Sequence, residues 1–222
     1  MNIKDNLNKI KSQLPEHVSL VAVSKTKPNE DILEAYEAGQ RIFGENKAQE
    51  LITKQPQLPE NIQWHYIGHL QSNKVKYLAP FVSLVHSIDR KKILKELNKE
   101  GKKNDRIING LLQFHIAEET SKFGLSLDES REILNNEGIK NYPHVNIVGV
   151  MGMATFTENE DQIRKEFRQL KAIFDILKSE YFSESNAFKE ISMGMSNDYQ
   201  IAIEEGSTML RIGSSVFGPR NI

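Results

Sequence analysis

The feature that most constrains this chain is an alternation. From residue 18 onward, a short apolar and often β-branched run is followed by a longer amphipathic stretch, again and again. That pattern marks βα units around a parallel sheet. The runs at 18–24, 41–43, 64–67, 84–87, 110–116, 146–151, 190–193 and 209–212 make eight strand candidates, with helical stretches between nearly all of them. Eight repeats and no leftover segment predict an α/β chain folded as a single (β/α)8 TIM barrel, one domain over residues 1–222. A doubly wound dinucleotide-binding sheet opens on a Gly-rich turn, and no G-x-G-x-x-G follows the first run. Ahead of that run, Ile3, Leu7, Ile10 and Leu14 recur at helical spacing among polar residues, so an extra N-terminal helix is expected, ended by Pro15. The loosest connections are expected at 55–61, 101–104 and 181–187.

Composition narrows the function classes. Acidic and basic residues number 30 and 29, a formal charge of -1, so no basic field is available for nucleic acid or an anionic membrane. The absence of cysteine removes disulfides, thiolate zinc sites and cysteine nucleophiles, and fits a reducing compartment. No apolar run approaches the ~18–20 residues that span a bilayer, and the first 14 residues mix Asp5 and lysines among apolar positions. A cytoplasmic protein with no membrane partner is expected.

In a (β/α)8 barrel the reactive side chains gather where strands end and βα loops begin. In Val21-Ala22-Val23-Ser24-Lys25 the two-residue period puts Val21, Val23 and Lys25 on one face, so Lys25 is placed to reach the barrel mouth. A lysine in such a low-dielectric place has a larger neutral fraction and can attack an aldehyde to give an imine. The plainer reading is a strand-end lysine reaching into water. Asn46, in Phe43-Gly44-Glu45-Asn46, either contacts a ligand or caps the next helix with Gln49 three residues on. After the seventh and eighth strands come Gly194-Met195-Ser196-Asn197-Asp198 and Gly213-Ser214-Ser215, each pairing glycine with hydroxyls at the ordinal positions that commonly bind phosphate in this fold. Helix capping by Ser196 or Asp198 and a simple turn at Gly213 are the competing explanations. Arg211 shares a strand face with Met209 and Gly213, opposite Leu210 and Ile212. It is expected either to pair with an interior carboxylate or to donate to a ligand heteroatom such as a pyridine nitrogen. In the second case the permanently protonated guanidinium leaves that nitrogen unprotonated, which makes the ring a poorer electron sink.

The segments Ala22-Val23-Ser24-Lys25-Thr26-Lys27, Phe43-Gly44-Glu45-Asn46, Trp64-His65-Tyr66-Ile67-Gly68-His69-Leu70-Gln71, Gly194-Met195-Ser196 and Arg211-Ile212-Gly213 together resemble the pyridoxal phosphate homeostasis protein family, over the length of the chain. The resemblance implies an alanine-racemase-like barrel of the fold type III class and pyridoxal 5'-phosphate held as a Schiff base on Lys25. It also implies cofactor contacts from Asn46, Ser196, Arg211, Gly213 and the Ser214 hydroxyl. It implies a role in vitamin B6 and amino-acid homeostasis without an established catalytic activity, a monomer, and apo-PLP enzymes as transient recipients. Two positions depart from the common pattern: His115 stands where asparagine is usual and Ser214 where threonine is common. Serine keeps the hydroxyl. His115 is expected to satisfy a local carbonyl rather than face the cofactor.

The main rival is an amino-acid racemase of the same fold, which needs a second base opposite Lys25; Tyr66 and Tyr199 are the candidates. Related racemases add a mostly β domain, whereas this sequence stops at Pro219-Arg220-Asn221-Ile222. A metal-dependent hydrolase is disfavoured, because His65 and His69 straddle a strand and a glycine turn rather than share a helical face. An interaction module built on the charged helix at 160–179 is the third reading, although such charge usually marks a solvated face.

Overall fold

A computed structural model describes residues 2–119, 123–136 and 138–219. Within them, eight strands form a closed parallel barrel in sequence order: β1 (Ser19–Val23), β2 (Ile42–Glu45), β3 (Gln63–Tyr66), β4 (Leu84–Ile88), β5 (Ile108–Gln113), β6 (Val145–Met151), β7 (Glu190–Ser192) and β8 (Met209–Ile212). Closure comes from β1 pairing with β8, which sets Val21 beside Arg211 and Ala22 beside Ile212. Around the barrel run α1 (Ile3–Ser12), α2 (Asn29–Glu37), α3 (Ala48–Lys54), α4 (Ser72–Leu78), α5 (Lys91–Lys103), α6 (Leu127–Asn136), α7 (Glu160–Glu180), α8 (Tyr199–Glu204) and α9 (Ser214–Phe217). The (β/α)8 barrel with an added N-terminal helix is what the alternation and the helical spacing ahead of it predict.

The strands are buried on both faces, and the two faces differ. Outward residues such as Ala22, Phe43, Trp64, Val85, Leu112, Ile191 and Leu210 join the large apolar layer under the helices. Inward residues Val21, Leu84, Leu111, Met151 and Met209 form a small separate cluster inside the barrel. The rest of the interior includes the buried polar side chains His65, His86, Ser192 and Arg211. A barrel interior is a packed core, so polar groups there need internal partners.

α1 buries Ile3, Leu7 and Ile10, as its spacing predicts, and Asn2 caps it by accepting from the Asp5 amide. It ends at Ser12 rather than at Pro15, with Gln13 at the C-cap. Asn6 donates to the Val216 carbonyl at 3.0 Å, which ties α1 to α9. Of the connections expected to be loose, 101–104 is largely the last turn of α5, where Gly101 is buried, and 55–61 contains a 3-10 turn at Gln55–Gln57. β5 starts two residues earlier and stops three earlier than the run at 110–116, because pairing with β6 extends from Ile108 to Gln113. The charged α7 buries Ile163, Phe167, Leu170, Ile173 and Leu177 along one face, so its charges decorate a packed helix. The chain end at 220–222, which the comparison with racemases invoked, lies outside the described residues. Among those described, no helix is long and apolar enough to cross a membrane.

Candidate functional site

A cavity of about 480 Å³ opens at the C-terminal ends of the strands, within the ~300–1,000 Å³ usual for small-molecule sites. Lys25, Asn46, Ser196, Arg211, Gly213 and Ser214, the six residues singled out from the sequence, all line it. They arrive from the loops after β1, β2 and β7, from β8 itself and from the start of α9.

Lys25 lies two residues beyond the end of β1, in a loop pinned on both sides. Ser24 donates its hydroxyl to Glu45 at 2.7 Å. Thr26, at φ 64 in the left-handed region that β-branched residues avoid, donates its amide to Glu50 at 2.6 Å. Lys27 Nζ is buried and donates to the carbonyls of Phe217 and Pro219, each at 2.9 Å, so the second lysine of the motif clamps the end of α9.

Asn46 is not a helix cap. α3 begins at Ala48 with Lys47 at the N-cap and no side-chain capping bond, so the Asn46/Gln49 capping box does not form: Asn46 sits one residue too early. Among the described residues its Oδ1 is buried with no hydrogen-bond partner. A buried polar atom without a partner costs about 1–3 kcal/mol, and one that lines a cavity is suited to a ligand donor.

In the β7–α8 loop, Asp198 does not cap α8 with its side chain. Its carboxylate turns back to accept from the Met195 amide at 2.5 Å and shapes the loop that carries Ser196. Gly194, at φ +96, has room for no side chain, since a Cβ would lie 2.6 Å from that of Ala202. Gly213 eases a close approach: a Cβ there would sit 3.1 Å from the Val23 carbonyl oxygen, a tight contact. Among the described residues, the Val216 and Phe217 amides bond the Gly213 carbonyl, which leaves the Ser214 and Ser215 amides at the start of α9 as donors beside the Ser214 hydroxyl.

Arg211 points into the barrel and is buried. Its hydrogen bonds go to neutral acceptors, Ser192 Oγ at 2.5 Å and the Gly152 carbonyl at 3.0 Å, and not to the interior carboxylate that the sequence left open. Burial lowers its pKa to about 10, with Asp198 pulling the other way through its charge. The guanidinium therefore stays protonated at neutral pH.

Of the candidates of the rival readings, Tyr66, Tyr199 and His65 are not among the residues that line the cavity, whereas His69 is. Tyr66 lies 3.2 Å from both the Asn46 and His69 carbonyls as a donor, and burial raises it to about 12. Tyr199 donates to Gln13 at 3.1 Å, toward α1. His65 turns inward to His86, whereas His69 pairs with Asp89 at 2.8 Å, so the two rings part. His115 lies 2.8 Å from the Glu119 carbonyl, the local role expected of it. Sequence reasoning missed Gln113, Met153 and Thr155 in the lining, and also Phe123 and Phe156, exposed aromatics at the cavity rim. No periodicity separates an exposed loop aromatic from a packed one.

The family profile described as alanine racemase, N-terminal domain, matches residues 1–221. The pyridoxal phosphate homeostasis protein of Aquifex aeolicus is 39% identical over 202 residues, 90% of this chain and 86% of that protein. Its namesake from Haemophilus influenzae is 38% identical, covering 100% of this chain and 97% of the relative. The chain belongs to the pyridoxal phosphate homeostasis protein family. A solved structure of PipY from Synechococcus elongatus with PLP bound superposes at a TM-score of 0.88 and 33% identity, over 97% of this chain and 100% of that one. Membership in the pyridoxal phosphate homeostasis protein family thus rests on whole-chain similarity in sequence and in shape.

Proposed function

We propose that this chain holds pyridoxal 5'-phosphate in the cavity as a Schiff base on Lys25, and serves intracellular vitamin B6 and amino-acid homeostasis without turning over a substrate of its own. The observation that carries the reading is the convergence of Lys25, Asn46, Ser196, Arg211, Gly213 and Ser214 on one cavity. The names of the relatives, and the PLP bound by PipY, support it.

The residues fit the group. When bound, the cofactor would bring an aldehyde that an amine can capture and a ring able to withdraw electrons. Lys25 supplies the amine. The Ser196 and Ser214 hydroxyls, with the backbone at Gly213, suit phosphate oxygens. Asn46 Oδ1, without a partner among the described residues, offers an acceptor. Arg211, protonated and held by neutral acceptors, keeps N–H groups for a ring nitrogen and withholds a proton from it, which disfavours carbanion chemistry. A racemase would need a second base; neither Tyr66 nor Tyr199 is among the residues lining the cavity, and the hydroxyls donate to the Asn46 and His69 carbonyls and to Gln13. The reading extends to a single domain over residues 1–222, a cytoplasmic monomer, and apo-PLP enzymes as transient recipients.

The test is the visible absorbance of the purified chain with added pyridoxal 5'-phosphate, followed by borohydride reduction and peptide mass mapping. A visible band and a stable adduct on Lys25 are expected, both lost in Lys25→Ala. An adduct on Lys27 or elsewhere, or no band, would sink the assignment.

A further inference from the structure

A hydrogen-bonded chain crosses the barrel interior beneath the cavity. Arg211 Nη1 on β8 donates to Ser192 Oγ on β7 at 2.5 Å. Ser192 Oγ lies 3.0 Å from His86 Nδ1 on β4, and His86 Nε2 lies 3.0 Å from His65 Nδ1 on β3. Ser192 and His86 are fully buried, and Arg211 and His65 nearly so.

The protons along this chain follow from valence. Guanidinium only donates, so Ser192 Oγ accepts from Arg211 and keeps one proton to give. The His86 Nδ1 is its acceptor, which makes the His86 tautomer Nε2–H, and that proton goes to His65 Nδ1. Every donor then points away from Arg211, and such aligned bonds strengthen one another. The opposite polarity would have Ser192 accept twice and strand its own proton in a place water does not reach, a loss of about 1–3 kcal/mol. Burial holds both imidazoles neutral, pushing His65 down to about 3 and His86 well below its ordinary value. A carboxylate in place of Ser192 would fix the guanidinium as firmly but would cancel its charge.

We propose that Ser192, His86 and His65 are positioning residues for Arg211: an uncharged relay that orients the guanidinium while leaving its positive charge available to the ring nitrogen of the bound cofactor. This rests on the cofactor reading above. Ser192, His86 and His65 are not among the residues lining the cavity, whereas Arg211 is, so the influence of the relay passes through Arg211 and is specific to the ligand atom Arg211 meets.

That specificity supplies the test. The full chain is titrated with pyridoxal 5'-phosphate and, separately, with a carbocyclic analogue, a phosphorylated hydroxybenzaldehyde in which C–H replaces the ring nitrogen. Ser192→Ala is expected to weaken binding of the first by about tenfold, the scale of one charge-assisted hydrogen bond, and of the second by no more than about twofold. His86→Leu acts in the same direction. His86→Asn, whose Oδ1 can replace Nδ1 as the acceptor for Ser192, restores most of the loss. Equal weakening of both ligands would mean a merely structural role, and no weakening of either would mean no role; each overturns the proposal. Should Ser192→Ala not fold, Ser192→Cys keeps the volume, weakens the bond and gives the same ratio of affinities. A wild-type chain without a Lys25 adduct sinks the cofactor reading and the relay together. A wild-type adduct with an unchanged affinity ratio in the variants sinks the relay alone.

Discussion

Lys25 and Arg211 reach one cavity from neighbouring strands, and the protein supports the two basic side chains by opposite means. Beneath the Lys25 loop, on the outer side of the barrel wall, the support is charged. Lys54 Nζ donates to the Ser24 carbonyl at 2.9 Å, to Glu45 at 2.8 Å and to Glu50 at 2.7 Å. Glu45 and Glu50 in turn accept from Ser24 and Thr26, the residues flanking Lys25. Beneath Arg211, inside the barrel, the hydrogen-bonded support is neutral, the Gly152 carbonyl and the Ser192 hydroxyl backed by two imidazoles, while Asp198 acts on the guanidinium through its charge. The difference follows from what is being held. A loop is held by its backbone carbonyl and amide, which charged side chains bind strongly without touching the lysine itself. A guanidinium is held by its own N–H groups, and acceptors that carried charge would neutralise it.

The sharpest way to break this comparison is to remove one member from each side. Lys54→Met leaves Glu45, fully buried and with Oε2 already without a partner among the described residues, bereft of its cation. Breaking a buried pair in this way costs about 3–5 kcal/mol, read as a fall in the unfolding free energy by denaturant melt. Ser192→Ala removes a neutral member and is expected to cost only about 1–3 kcal/mol. If the two losses were equal, the distinction between charged and neutral support would have no energetic content.

Acid sharpens the same contrast. His65 and His86 have folded pKa values depressed by burial, His65 to about 3, against an unfolded value near 6.5. Between those limits the unfolded chain binds protons that the folded chain refuses. The stability present above pH 6.5 is therefore lost as pH falls toward 3, by about 1 kcal/mol per pH unit for each histidine. Glu45 has the opposite sign. Burial raises its folded pKa against the pull of Lys54, so in the window just above its ordinary value the folded state binds more protons, and stability rises as pH falls through it. Unfolding free energies measured from pH 7.5 to 5 are expected to decline less steeply in His86→Asn than in wild type, and more steeply in Glu45→Gln. A wild-type slope in both variants would place the acid sensitivity outside these two networks.

Much of the fold was legible because strands such as β1 and β8 are buried on both faces and read as apolar runs; β8 coincides with the run at 209–212. The inward parity of Arg211 was legible as well, since Met209 lies in the inner cluster and Leu210 in the outer one. The cavity residues could be found because the fold places ligands at strand ends. The supports beneath them could not. Ser192, His86 and His65 meet only through barrel closure, with 106 residues separating Ser192 from His86 along the chain. Lys54 reads as one more helix-surface lysine, the usual fate of that residue, until three acceptors converge on it. Asn46 misled because a capping box is a local pattern, whereas the start of α3 is set by how the chain leaves β2.

The smallest expected effect concerns the one residue that the charged support holds in an unfavourable backbone. Thr26 at φ 64 adopts a conformation that costs an L-residue about 1–2 kcal/mol. Glycine adopts it freely but loses about 0.5–1 kcal/mol through the greater freedom of its unfolded chain. Thr26→Gly is therefore expected to be neutral or stabilising by up to about 1.5 kcal/mol. The Glu50 bond to the residue 26 amide survives the change, so the loop keeps its anchor while losing the steric restriction at that position. If the anchor positions Lys25, the reduced adduct still forms on Lys25 at close to the wild-type rate. If the side chain of Thr26 does so instead, the adduct forms several-fold more slowly even though the protein is no less stable, and the charged cluster is then a structural feature of the barrel wall rather than the support of the lysine.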